Sequence, residues 1–490
     1  MLIEPFLSNA ASQPDEIAVV DETGRHTYRQ LAGFAAALAQ RLSETTSRSH
    51  IGLLLPSGAG FVGSFYGSLI AGKSVTPINF LLGQREIEHV LSDSGIDTVV
   101  TVPFFAPKLA GSGLKMIDLS QFKPSAPVTM PGLPQRSPDD MAVLMYTSGT
   151  SGLPKGVVLS YGNLQSDVDV AIEYADFQHR HTFLGLIPLF HSFGMTGTLL
   201  APMQLGSTAV YMTRFNATAA VKAIAEHRIS MVLAVPSMFA AMLHLKNASA
   251  EDFVNIQYLF SGGEPLPPAV GEAFQNRFGQ RIYEGYGLTE TSPVVALNIA
   301  RARRQGSVGK ALPSVRIKIV NDDGGEQPAG ESGEVWLAGP MIMKGYHHLP
   351  EETAAVLTSD GFFKTGDIGK LDSDGYLYIV GRKKELIIVA GEKAAPREIE
   401  DALMGHPAVA EAAVVGKKDT SRGEVVVAFV ILKEGQTVTD DQLRQTCRDA
   451  LLPQWKIPRE IYFQTELPRT PTGKVLKRVL AQRVNEPAGQ

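Results

Sequence analysis

The sequence predicts an α/β protein. It has a large N-terminal domain of parallel α/β sheets with a small β-barrel-like subdomain, followed by a small α+β C-terminal domain. Three observations predict this. Short β-branched runs alternate with helix-patterned segments through most of the chain, as parallel sheets with crossover helices require. After about residue 305 the pattern changes to alternating strands separated by turn residues. Beyond "GYLYIVGRKKELIIVAGEK" (375–393) comes a compact run of helix, two strands and helix, of ordinary domain size. At 490 residues the chain is too long for a single core.

Taken in order, "HIGLLLP" (50–56), "TVVTVP" (98–103) and "MVLAVPS" (231–237) read as buried strands. "AGFVGSFYGSLIAG" (59–72) is apolar, but it falls short of the ~20 residues that span a bilayer and is broken by glycines, so it reads as a buried helix. "FNATAAVKAIAEHR" (215–228) and "PAVGEAFQNRF" (268–278) have helical spacing. "RIKIVNDDGGEQPAGESGEVWLAG" (316–339) is two alternating strands around turn residues, the start of a meander or small barrel. Two strand-like runs then flank a charged break at 381–385. "PREIEDALMGHPAV" (396–409) has proline at a helix start, "EAAVVGK" and "EVVVAFVIL" are strands, and "TDDQLRQTCRDALL" (439–452) is a helix.

Composition bounds the function. Hydrophobic residues make up 44% and charged residues 19%, ordinary for a soluble enzyme, and the net charge of -5 gives no reason to expect nucleic acid. The one cysteine, Cys447, excludes an intramolecular disulfide and any multi-cysteine zinc site. The opening "MLIEPFLSNAASQPDE" lacks a signal-peptide pattern. No segment reads as transmembrane; the cytoplasm is the expected compartment, with loose membrane association open.

"YTSGTSGLPKGVVLS" (146–160) carries the first chemistry. Gly149 and Gly152 permit positive φ, so successive backbone N–H groups can converge on an anion. Thr147, Ser148, Thr150 and Ser151 add hydroxyls, and Lys155 adds a full charge. The loop departs from the common phosphate-loop pattern, which has glycine directly before lysine, whereas Pro154 stands here. A Ser/Gly-rich surface turn has the same composition. "YEGYGLTETSP" (283–293) sets Tyr286, Thr289 and Glu290 within five residues: a surface for a base, a donor for phosphate and an oxygen ligand for magnesium. "KTGDIG" (364–369) isolates Asp367 in a glycine-bounded turn suited to ribose hydroxyls, or to a turn alone.

In order along the chain, "YTSGTSGLPKGV", "YGLTE", "TGD", "GRKKELI" and "PTGK" resemble the motifs of the adenylate-forming superfamily: acyl-CoA synthetases, peptide-synthetase adenylation domains and firefly luciferase. The resemblance covers nearly the whole chain. It implies that the loop from Thr147 through Ser148, Gly149, Thr150, Ser151 and Gly152 to Lys155 wraps the β- and γ-phosphates of ATP, while attack falls at the α-phosphorus. It further implies that Tyr286 stacks on adenine and that Thr289 contacts phosphate. Glu290 with Thr150 would hold Mg²⁺, and Asp367 and Arg382 would bind the ribose hydroxyls. Gly262, Gly263, Glu264, Glu284, Gly285, Gly287 and Ile379 join the nucleotide-binding set by the same resemblance. Lys474 is the implied catalytic lysine, although "GKVLKR" also reads as a solvated basic helix end.

The resemblance also implies a mobile C-terminal domain, residues 384–490, that swivels about Lys384 between adenylation and thioester formation, after an N-terminal domain of residues 1–383. The stretch "VAGEKAAPREIE" would line a pantetheine tunnel for coenzyme A. Gly391 and "PREIE" match the family there and "EKAA" departs from it. "IPLFHSFGMTGTLLAPM" (187–203) borders the acyl pocket in relatives and carries no aspartate. An amino acid's ammonium would go unpaired, so an apolar acid is expected. His191 is a candidate gate, or a packed, hydrogen-bonded histidine. The expected reaction joins a medium- or long-chain fatty acid to CoA with ATP, giving AMP and pyrophosphate. Alternatives are an acyl-carrier-protein ligase or an aryl acid–CoA ligase. The chain ends soon after Lys474 on "PAGQ", so a fused carrier domain and a peroxisomal S-K-L ending are not expected.

Overall fold

The computed structural model describes residues 1–122, 130–147, 153–177, 181–469 and 475–486. The chain divides into two compact units, residues 1–316 with 337–363, and residues 317–336 with 364–490.

The first unit is built on two large sheets. One has nine strands, in the spatial order Lys310–Ala311, Val294–Leu297, Ile282–Gly287, Tyr258–Ser261, Met231–Ala234, Thr182–Gly185, Thr208–Tyr211, Ile17–Asp21 and Gly24–Thr27. Its central strands run parallel, and antiparallel strands close both edges. The other has seven, in the order Gly345–Tyr346, Lys155–Ser160, Met141–Thr147, Ser74–Pro77, His50–Leu54, Thr98–Thr101 and Lys115–Asp118. Buried β-branched and leucine runs form these strands because both faces are covered, which leaves no alternation to read.

In this unit the expected helices form within two residues of their predicted bounds, whereas in the second unit the helix expected over 396–409 stops at Met404, before Gly405 and Pro407, and Val409 begins a strand. Ala217–Glu226 is capped by the Asn216 side chain, and Pro268–Phe278 ends at Gly279 with φ 71°. Phe274 and Phe278 of the second helix meet Phe239 and Phe253 in stacked and edge-to-face pairs, within the core that also holds Ala220, Val221 and Ile224 of the first. The glycine-broken segment is the helix Ala59–Ile70. Eleven of its twelve residues are buried, and small side chains let a neighbouring helix approach: a Cβ on Gly67 would stand 2.8 Å from the Ala35 carbonyl oxygen. No described helix is long and apolar enough to cross a membrane.

The second unit contains a four-stranded sheet, Arg316–Val320, Gly333–Ala338, Phe363–Leu371 and Leu377–Arg382 in spatial order. It also contains a five-stranded sheet around the long hairpin Val409–Asp419 and Gly423–Leu432, with helices Pro396–Met404 and Asp440–Asp449 packed on it. Much of the small sheet thus groups with the C-terminal segment. The compact units part at 363/364, ahead of the expected boundary of 383/384, because the strands of residues 317–336 form one sheet with Phe363–Leu371 and Leu377–Arg382. Ion pairs reinforce this grouping, with Lys383 on Glu334 at 3.0 Å and Lys393 on Asp322.

Candidate functional site

Four neighbouring parallel strands, Thr182–Gly185, Met231–Ala234, Tyr258–Ser261 and Ile282–Gly287, end at one edge of the nine-stranded sheet. In open α/β sheets ligands bind beyond the carboxyl ends of the strands, where loops diverge. The loops after three of these strands carry His191, then Gly262, Gly263 and Glu264, then Thr289 and Glu290. The sheet therefore gathers residues spread over a hundred positions. Hydrogen bonds then fasten the loops together: Ser192 and Thr289 hydroxyls meet at 3.2 Å, and Glu284 accepts the Leu266 N–H at 3.0 Å.

The glycines here answer to close approach. A Cβ on Gly287 would lie 1.7 Å from the Pro293 carbonyl oxygen, and one on Gly285 would lie 2.9 Å from Leu297. Gly263 has φ 81°. Tyr286 is half-buried opposite Ala296, and Thr289–Thr291 forms one tight turn that presents Thr289 and Glu290. His191 is exposed and caps the short helix Ser192–Met195, its Nδ1 accepting the Phe193 N–H at 3.3 Å. It is not a packed core histidine.

The seven-stranded sheet supplies the other wall. Thr147 ends one strand, Lys155 begins the next, and the two are directly opposite in the antiparallel pair. Ser148, Gly149, Thr150, Ser151 and Gly152 lie outside the described residues, as does Lys474. The Lys155 ammonium pairs with Glu352 and lies 5.6 Å from the centre of the Tyr346 ring. Tyr346 Oη donates to Glu290 Oε1 at 2.9 Å, and the Met343 N–H donates to the Glu290 carbonyl at 2.8 Å. Burial and the Glu290 charge both push the Tyr346 phenol above its ordinary range, so it remains a donor. Tyr346 and Glu352 follow no nucleotide-like motif; only strand pairing brings them here.

In the second unit, Asp367 and Arg382 are opposite one another on neighbouring antiparallel strands. Arg382 Nε donates to Asp367 Oδ1 at 2.9 Å, and the Asp367 side chain is 4% exposed. Ile379 lies on the same strand as Arg382, its carbonyl accepting from Arg397 at 2.7 Å. Lys384 occupies the single turn Lys383–Glu385, and Gly391 (φ 88°) makes the bend between two short strands. Cys447 is fully buried, and burial pushes its thiol up to about 11, which removes it from nucleophilic chemistry.

Glu290 offers a carboxylate whose rotamer is held by a tyrosine hydroxyl, an oxygen donor of the kind a hard divalent cation takes. That donor suits magnesium in chemical type, and no group of three or more His, Cys, Asp or Glu that could hold a metal occurs among the described residues.

The family model described as "AMP-binding enzyme" matches residues 6–347, and its C-terminal domain model matches residues 398–474. The long-chain-fatty-acid–CoA ligase of Bacillus subtilis is 32% identical over 99% of this chain and 95% of its own length. The sulfoacetate–CoA ligase of Cupriavidus necator is 35% identical over 95% and 94%. Among solved structures, o-succinylbenzoate coenzyme A synthetase from B. subtilis, in complex with ATP and magnesium ion, superposes with a TM-score of 0.86 at 30% identity, covering 97% of this chain and 98% of that one. The gathered loops, the paired strands and these matches make the chain a member of the AMP-binding enzyme family, an AMP-forming acid–thiol ligase of the adenylate-forming superfamily.

Proposed function

We propose that this ligase activates a medium- or long-chain fatty acid with ATP and transfers the acyl group to the thiol of coenzyme A. A substrate carboxylate oxygen attacks the α-phosphorus, the bond to the β-phosphate oxygen breaks, and pyrophosphate leaves. The thiol, once deprotonated, then attacks the acyl carbon, and AMP departs with the former carboxylate oxygen. A free carboxylate cannot take the second step, because its oxygen is a poor leaving group until it is part of a mixed anhydride.

The observation that carries this reading is the meeting of Thr289, Glu290, Tyr346 and Lys155 at the joined edges of two sheets. Lys155 is assigned to the outer phosphates, Tyr286 to the adenine face, and Asp367 with Arg382 to the ribose. Magnesium, held by Glu290 and Thr150, supplies charge neutralisation at the phosphates. Lys474 is assigned to the charge that grows on the α-phosphate in the transition state, a contribution of ~10²–10³ in rate for contacts of this type. Lys384 is assigned as the swivel residue. The choice of an apolar acid rests on segment 187–203, which holds no carboxylate, lysine or arginine and buries Phe190, Met195 and Leu199. An aryl acid is the second reading, favoured by the Phe193 ring, which lies 3.2 Å from where a Cβ on Gly262 would stand.

The test supplies acids of graded length and aryl acids with ATP, Mg²⁺ and either CoA or a phosphopantetheinylated carrier protein, and resolves the nucleotide products. Equal yields of AMP, pyrophosphate and fatty acyl-CoA are expected. Release of ADP and phosphate would overturn the mechanism, and preference for the carrier protein would overturn the acceptor.

A further inference from the structure

The segment 345–353 lies outside every nucleotide-like motif, yet it is fixed rigidly to the phosphate loop's outgoing strand. Gly345 pairs with Val158 and Tyr346 with Val157. The Lys344 N–H donates to the Val158 carbonyl at 3.0 Å and the His347 N–H to the Gly156 carbonyl at 2.7 Å. The Tyr346 N–H donates to Thr353 Oγ1 at 2.9 Å, which ties the strand to the helix Pro350–Val356 and so places Glu352. A side chain on Gly345 would collide with Thr353, its Cβ 2.7 Å from the methyl, so the two pieces meet as closely as a glycine allows.

This small platform reaches both functional groups at the phosphate end. Its tyrosine hydroxyl holds the Glu290 carboxylate, its ring underlies the Lys155 ammonium, and its Glu352 carboxylate pairs with that ammonium. We propose that Tyr346 and Glu352 are positioning residues for the triphosphate. Tyr346 aims Glu290 toward the metal, and Glu352 tethers Lys155 and exchanges it to the β- and γ-phosphates. The inference rests on the assignment of Lys155 to phosphate and Glu290 to magnesium.

The tether is suited to exchange. The two side chains are 21% and 43% exposed, and ion pairs so open to water are weak. A phosphate oxygen brings more charge to the same ammonium and forms the stronger hydrogen bond. The carboxylate thus keeps the lysine extended along the platform while competing only modestly with nucleotide.

Calorimetric titration of the full chain with MgATP, metal-free ATP and AMP tests this. Glu352→Gln keeps the shape and removes the competing charge. It should tighten MgATP about two- to fivefold and leave AMP, which lacks the outer phosphates, unchanged. Tyr346→Phe keeps the ring under Lys155. It should raise the Mg²⁺ concentration needed for tight ATP binding several-fold, again without effect on AMP. In a Lys155→Met background Glu352→Gln should do nothing. Equal shifts for ATP and AMP, or a Glu352 effect that persists without Lys155, would overturn the positioning role. If Lys155→Met weakens MgATP but Glu352→Gln changes nothing, the tether fails and the phosphate assignment stands. If Lys155→Met binds MgATP like wild type, the phosphate assignment itself fails.

Discussion

Asp367 is buried and paired with Arg382, so replacing it separates a structural from a ligand-binding role. Loss of one member of a buried ion pair costs ~3–5 kcal/mol when the survivor stays desolvated. Arg382 is 36% exposed, so water recovers part of that cost, and Asp367→Ala should lose about 1–2 kcal/mol. For a unit of this size that is a fall of about 2–8 °C in the melting temperature. Asp367→Asn retains an acceptor for Arg382 Nε and should melt close to wild type. It nevertheless exchanges a charge-assisted hydrogen bond for a neutral one at the ribose, a difference of about 1–2 kcal/mol, or roughly 5–30-fold in ATP affinity. The assay is calorimetric titration with ATP and with 2′,3′-dideoxy-ATP. The wild type should prefer ATP by that factor, and Asp367→Asn should lose most of the preference. An asparagine variant that discriminates between the two nucleotides as well as wild type does would refute the ribose assignment, whatever its melting temperature.

Gly287→Ala forces a Cβ against the Pro293 carbonyl, a backbone atom that moves only with the turn bearing Thr289 and Glu290. A loss of about 1–3 kcal/mol in urea denaturation, with loss of adenylation, is expected; wild-type stability would count against the packing argument. Asp167 is fully buried, and burial raises its carboxyl well above the usual range, outweighing the Val294 amide that lowers it. The folded state therefore keeps this proton after the unfolded chain has released it, and stability is lost as pH rises above the ordinary aspartate value. Asp167→Asn removes that dependence, so its melting temperature relative to wild type should be higher at pH 8 than at pH 5; an equal difference at both pH values would contradict the assignment. Lys474→Ala should slow adenylation ~10²–10³-fold and spare thioester formation from preformed acyl-adenylate; parallel loss of both half-reactions would argue against its placement at the α-phosphate.

How much could be read from the chain depended on the range of the interaction involved. The helices Ala217–Glu226 and Pro268–Phe278 and the strand Met231–Ala234 were legible because apolar spacing and caps act within a few residues. The family motifs were legible because their residue types and their order along the chain can be read without knowing the fold. Tyr346 and Glu352 carried no such signal. "KGYHHLPEET" reads as an ordinary turn and helix start, and its importance comes from a two-residue strand pairing with Val157 and Val158, almost two hundred positions away. The grouping of residues 317–336 with the C-terminal unit was hidden for the same reason, since a strand's pattern does not name its partner. His191 was ambiguous because a histidine's role depends on what surrounds it. Here it caps a four-residue helix.

The sequence by itself determined the element types, the two-part organisation and the chemistry that the motif residues can perform, because those follow from side-chain identity and local periodicity. Only the tertiary structure decided which residues meet. Parallel pairing brings the carboxyl ends of four separate strands to one edge, antiparallel pairing sets Asp367 against Arg382, and the pairing of Tyr346 with Val157 places its hydroxyl on Glu290. Hydrogen bonding between distant strands carries information that no local window contains.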